Sequence, residues 1–144
     1  MAIAHHPWEK KMNEETLQEL FGKLKKLLEK NSAGLEMRES VIGSQAKGSK
    51  PALHLYGKKP VAIPGRKPQQ TYLAGIILQK NFVGLYMMPI YSHPQLTKNL
   101  SPQLRKMLKG KSCFNVNQAD RAVLSEIDKL LKEGKALYKE QGWI

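Results

Sequence analysis

Gly110-Lys111-Ser112 has the ending of a phosphate-binding loop. In such a loop backbone N–H groups cradle phosphate, the lysine meets its charge and the hydroxyl ligates magnesium. The full pattern needs a glycine five residues before Gly110 and a strand leading in. Arg105 stands at that place, and the preceding stretch is patterned as a helix, so Gly110 reads as a helix cap and Lys111 as a strand start. Cys113 is the one cysteine. To act as a nucleophile it would need a base or a positive neighbour to lower its pKa. Lys111, two residues earlier on the same face of a strand, is the candidate; a buried structural thiol is the competing reading. The histidines are His5, His6, His54 and His93, and no pair has metal-ligand spacing beside a cysteine or carboxylate. His93 precedes a proline and would stand with Tyr91 at the rim of a pocket, or otherwise on a surface turn. No catalytic residue, metal ligand or resident cofactor is assigned.

The remaining chemistry is charge and aromatic surface. The formal net charge is +12, and its distribution is uneven. Met1 to Glu39 carries seven basic and seven acidic residues, and Asp120 to Ile144 carries five of each. Ser40 to Ala119 holds twelve Lys and Arg and no Asp or Glu. This segment is either a solvated basic surface or an anion-binding face for phosphate, nucleic acid or an acidic partner. The residues expected to contact an anionic ligand are Lys58, Lys59, Arg66, Lys67 and Lys111, with Tyr91 and His93 at the rim. Tyr56, Tyr72, Tyr86 and Tyr91 fall near Lys58, Lys59, Arg66, Lys67 and Lys80. Single-stranded nucleic-acid platforms use this combination, with bases stacking on rings and lysines meeting phosphate. No recognised nucleic-acid motif accompanies it, and Tyr72 and Tyr86 also suit the core of an apolar hairpin.

That hairpin is the element on which the rest depends. In TYLAGIILQKNFVGLYMMPIY, Thr71 to Tyr91, two apolar runs flank Gln79-Lys80-Asn81. Tyr72 to Leu78 and Phe82 to Met88 each suit a strand, with a tight turn at Lys80-Asn81. Alternation places Ile76, Leu78, Phe82 and Tyr86 on one face, and Leu73, Ile77, Val83 and Leu85 on the other. Both faces read as apolar, so the hairpin belongs in the centre of a sheet. Pro89 ends it, and Tyr91 to Pro94 leads away.

The flanking elements follow from periodicity and caps. Met1 to Met12 reads as a tail, with Pro7-Trp8 able to dock on the core. Asn13 caps a helix whose apolar stripe is Leu17, Leu20, Phe21, Leu24, Leu27 and Leu28, ended by Asn31-Ser32 and Gly34. Leu35 to Ile42 and Pro51 to Tyr56 read as strands around a polar loop at Gly43 to Lys50. Gly57 to Pro60 reads as a turn, Val61 to Ile63 as a short strand and Pro64 to Gln70 as a basic loop. Ser101-Pro102 starts a short helix near 102–109. Ser112 to Val116 is another strand. Asn117 is the expected cap of a last helix with Val123, Leu124, Ile127, Leu130 and Leu131 inward, interrupted at Gly134.

The order of elements predicts an α+β two-layer sandwich. It has an antiparallel sheet of about five to six strands with N- and C-terminal helices on one face. The chain of 144 residues fits a single domain over 13–144 behind the tail 1–12. No apolar run is long enough to span a bilayer, and Met1 to His6 is too short for a signal-peptide core. A lone cysteine forms no intrachain disulfide, so a reducing cytoplasm is the expected setting.

The segments Tyr72 to Tyr91, His93 to Val116 (HPQLTKNLSPQLRKMLKGKSCFNV) and the final helix ending GKALYKEQG resemble the YdhG-like proteins, a domain of unknown function found mainly in bacteria. The likeness covers Tyr72 to Gly142 well and the first half loosely. It implies an α+β sandwich similar to frataxin and, for some relatives, iron-chaperone activity. Iron binding of that kind needs carboxylates on the first helix and strand. Here Glu14, Glu15 and Glu19 are followed by Lys23, Lys25 and Lys26, and no iron ligand carries over. The expectation is therefore a non-enzymatic binding protein with a basic face; iron handling and nonspecific nucleic-acid binding are the alternatives.

Overall fold

The computed structural model describes residues 13–42, 50–62 and 64–144. The tail, its histidines and Trp8, the 43–49 part of the polar loop, and Ile63 lie outside the described residues. Helix α1 spans Glu14–Lys30. Strands β1 (Leu35–Ile42), β2 (Lys50–Val61), β3 (Gln69–Leu78) and β4 (Val83–Met87) follow. Next come short helix α2 (Met88–Ser92), a 3-10 turn at Pro94–Thr97 and α3 (Pro102–Met107). Strands β5 (Leu108–Lys109) and β6 (Cys113–Val116) precede helix α4 (Arg121–Glu140). The six strands form one antiparallel sheet in the order β1-β2-β3-β4-β6-β5. This is the expected α+β sandwich, and β3 and β4 are its central strands.

Helices α1, α3 and α4 start where a side chain satisfies a free backbone donor, whereas α2 has no side-chain cap. Asn13 accepts from Thr16 N at 2.7 Å, and Ser101 accepts from Leu104 N at 3.1 Å. At α4 the cap is Asp120, not Asn117: its carboxylate accepts from Val123 N at 2.9 Å. Gly134 does not interrupt α4. A methyl group there would stand 2.6 Å from Cγ of Pro89, so glycine lets the helix sit directly on the proline that opens α2.

The core lies between the helices and one sheet face. Leu17, Leu20, Leu24 and Leu28 of α1 and Val123, Ile127, Leu130 and Leu131 of α4 are buried. They meet Leu53, Leu55, Ala74, Ile76, Val83, Leu85, Met87, Phe114 and Val116. The cross-strand pairs Ile76–Leu85, Leu78–Val83 and Leu85–Phe114 share that face. The hairpin faces therefore differ from the simple alternation. The tight turn at Lys80-Asn81 is present, closed by Gln79 N donating to Phe82 O at 2.9 Å; it pairs Leu78 with Val83, so even positions of β3 share a face with odd positions of β4. A second feature lies within β3. In β3, Tyr72 pairs with Tyr56 and Ala74 with Leu55, which leaves Leu73 as an extra residue and buries it beside Ala74. Such a bulge reverses side-chain alternation on either side of it. Tyr138 of α4 secures the place: its hydroxyl donates to the Tyr72 carbonyl at 2.9 Å.

Three other expectations change. Gly57 to Pro60 is no turn; β2 continues to Val61 through a second irregularity, where a proline without an N–H is tolerated. Tyr91 and Ser92 belong to α2, and Gln69 and Gln70 to β3. The short helix stops at Met107, and Gly110, with φ of 71°, turns β5 into β6.

Candidate ligand-binding face

The expected ligand residues lie at one end of the sheet. Lys58 and Lys59 are exposed on the last part of β2, with Arg66 and Lys67 exposed in the connection that follows. Tyr91 on α2 is 57% exposed. His93 is half-buried beyond α2; its Nδ1 lies 2.9 Å from Ser92 Oγ, and its ring meets Trp143 edge-on at 6.3 Å. Lys111 is exposed in the β5–β6 turn. Thr71 donates to the Trp143 carbonyl at 3.3 Å, which joins the β2–β3 hairpin to the neighbourhood of His93. Met87 N donates to Ser112 O at 2.7 Å, which joins the Lys111 turn to the start of α2. Among the described residues no hydrogen bond or ion pair joins any two of the seven. They form a rim, not a closed site. A cavity of about 250 Å³ lies elsewhere, lined by Phe21, Lys25, Glu39, Ser40, Pro51, Ala52 and Leu53.

The sheet face away from the helices carries a constellation that alternation in the sequence concealed. Arg38 pairs in register with His54, His54 with Gly75, Gly75 with Tyr86, Tyr86 with Cys113 and Cys113 with Lys109. These six residues form one row across all six strands, about 24 Å long at the usual strand spacing. Its ends are cationic and its middle is aromatic and flat. Beside it Tyr56 pairs with Tyr72. Tyr56 and Tyr72 rings meet edge-to-face at 5.2 Å, and the His54 ring lies 5.5 Å from Tyr72. Tyr72 and Tyr86 are therefore not core residues of an apolar hairpin; the Leu73 bulge places Tyr72 on this face, and the pairing with Gly75 places Tyr86 there. Among the described residues, no helix covers it.

Two glycines shape the surface. A Cβ at Gly75 would lie 1.9 Å from the Tyr72 hydroxyl oxygen and 2.4 Å from His54 Nδ1. Those two side chains meet directly above Gly75, Nδ1 to oxygen at 2.8 Å. A Cβ at Gly84 would be 3.3 Å from Cε2, 3.4 Å from the hydroxyl oxygen and 3.6 Å from Cζ of Tyr86. The hydroxyl oxygen and Cε2 are nearer than Cζ, so it is the outer edge of this ring that lies against the glycine.

Burial raises the pKa of the Tyr72 hydroxyl well above the ordinary phenol range and lowers that of His54. Tyr72 therefore stays protonated, and its hydroxyl shares a hydrogen bond with Nδ1 of the neutral His54 imidazole. Arg38 donates to Glu36 and Gln70, and its guanidinium lies 4.1 Å from the Tyr56 ring centroid. The hydrogen bond from Arg38 holds Glu36 below its usual value. Lys50 donates to Gln79 at 2.8 Å.

The nucleophile reading of Cys113 fails on position and environment. Lys111 lies in the turn, outside β6, and the cross-strand neighbours of Cys113 are Tyr86 and Lys109. Burial pushes the thiol pKa up, so the reactive thiolate is disfavoured. The phosphate-loop reading also fails, since Gly110-Lys111-Ser112 joins two strands rather than opening a helix. Among the described residues no group of three or more His, Cys, Asp or Glu stands together as a metal site would require. No described helix is long and apolar enough to cross a membrane. Comparisons with protein-family models, curated proteins and solved structures return no match to this chain.

Proposed function

We propose that the protein is a small binding module that holds an anionic ligand on the uncovered face of its sheet and carries out no reaction on it. The supporting observation is the row from Arg38 to Lys109, with cations at both edges and rings between them. All of the row except Arg38 comes from the segment that has no carboxylate. Lys58 to Lys67 and Lys111 extend the same positive field around one end of the sheet. Relative to the sequence reading, the ligand moves from the end of the sheet to its face, and the end becomes the rim. The YdhG-like assignment is retained within this proposal, supported by the sandwich and by the segments that carry the likeness. The lone thiol supports a cytoplasmic setting. Iron handling has no supporting cluster among the described residues.

Inorganic polyphosphate titrated at low and high salt tests the proposal. Binding that falls linearly on a double-logarithmic plot marks displacement of counterions. The Arg38→Glu, Lys109→Glu double variant is expected to bind at least tenfold more weakly at low salt and with a shallower slope. Unchanged affinity in that variant would overturn the assignment of the face.

A further inference from the structure

We infer that the ligand is single-stranded nucleic acid, its bases laid on the ring surface between β2 and β4 and its phosphates reaching Arg38 and Lys109. This rests on the anion-binding reading and goes beyond it. A purely charged polymer is matched by cations spread along its path, but here the middle of the row is His54, Gly75, Tyr86 and Cys113. The face suits a ligand whose charge is peripheral and whose centre is flat and apolar, as a nucleotide is. Glycine within a strand marks a place where another group approaches the backbone closely. Gly84 leaves room for the edge of the Tyr86 ring beside the backbone, and Tyr86 is only partly buried there. The Arg38 guanidinium, held over Tyr56, offers a second stacking plane.

Stacking on rings is tolerant of sequence, because every base has a π face. A duplex keeps its bases stacked inside and offers this surface only phosphate. The row length fits on the order of four nucleotides, the low end for sheet platforms. Glu36 faces the same surface and competes with phosphate for Arg38, so Glu36→Gln is expected to tighten binding severalfold.

The test compares four probes by competition at one salt concentration. They are an oligothymidine of about 12 nucleotides, within the site sizes of such platforms, an abasic strand of equal length, the matching duplex and polyglutamate. Oligothymidine is expected to bind at least tenfold more tightly than the abasic strand and the duplex. Tyr86→Leu is expected to reduce that difference at least severalfold, and Tyr86→Phe to preserve it. Equal affinity for oligothymidine and the abasic strand would overturn this inference while leaving the anion-binding reading intact. Binding of no polyanion would overturn both, and tighter binding of polyglutamate would replace nucleic acid with an acidic protein. Ultraviolet crosslinking of the unaltered protein gives an independent reading: adducts belong on the peptides containing Tyr72 or Tyr86, and adducts confined to α1 and α4 would contradict the inference.

Discussion

Gly75 shows how one residue shapes the candidate face. Alanine there would drive a methyl group into the contact between Tyr72 and His54. Overpacking of this kind costs about 1–3 kcal/mol, so Gly75→Ala should lower the denaturant midpoint accordingly. The same contact makes a pH prediction. The folded-state pKa of His54 is lowered by burial, so the unfolded chain takes up a proton first as pH falls. The stability contributed by neutral His54 is fully present above the ordinary value of 6.5 and is lost as pH falls through the lowered folded value. His54→Gln should flatten the decline in melting temperature over that acidic window; an unchanged pH profile would show that His54 is not its source. Residue identity carried part of this in the sequence: the tyrosines and the basic residues were legible as a possible platform. Their common face was not, because it depends on Leu73 being an extra residue. Nothing in the apolar run Tyr72 to Leu78 distinguishes a bulged strand from a regular one.

Elements were legible where local chemistry decides them. Asn13, the leucine stripe of α1 and Ser101-Pro102 each act within a few residues, and the structure agrees. Elements set by distant partners were not. Gly134 reads as a break in α4 until Pro89, far away in sequence, is seen packed against it. Gly134→Ala would gain about 1 kcal/mol of helix propensity. The clash with the stiff proline ring costs about 1–3 kcal/mol, so the variant should be destabilised despite the better helix former. The junction of α1 and α4 makes a second element-scale prediction. Asn31 is buried at the end of α1, and its side-chain amide donates to Asp128 of α4 at 2.8 Å. Lys132 and Lys30 donate to the same carboxylate at 2.6 and 3.2 Å. Burial raises the Asp128 pKa, but the bonds from Lys132, Asn31 and Lys30 outweigh it and hold the carboxyl at about 2. Its contribution is present above the ordinary value of 3.8 and is lost as pH falls through about 2. The lysine ends are exposed and add little. Loss of one of the two acceptors of the buried Asn31 amide dominates, so Asp128→Ala should cost about 1–2 kcal/mol near neutral pH.

At the scale of the whole molecule the two sheet faces divide the work. One face is closed by α1 and α4 and supplies the core; the other holds rings between two cationic edges. Net charge and the α+β class were legible in composition and element order, since neither depends on register. Which face the charge accompanies was not, because it depends on cross-strand pairing and on the Leu73 bulge. The position of the ligand on the open face can be mapped directly. In an amide NMR titration with inorganic polyphosphate at low salt, the shifts should centre on Arg38, His54, Gly75, Tyr86, Cys113 and Lys109 and fade with added salt. Shifts confined to the outer surfaces of α1 and α4, with this row unmoved, would contradict it.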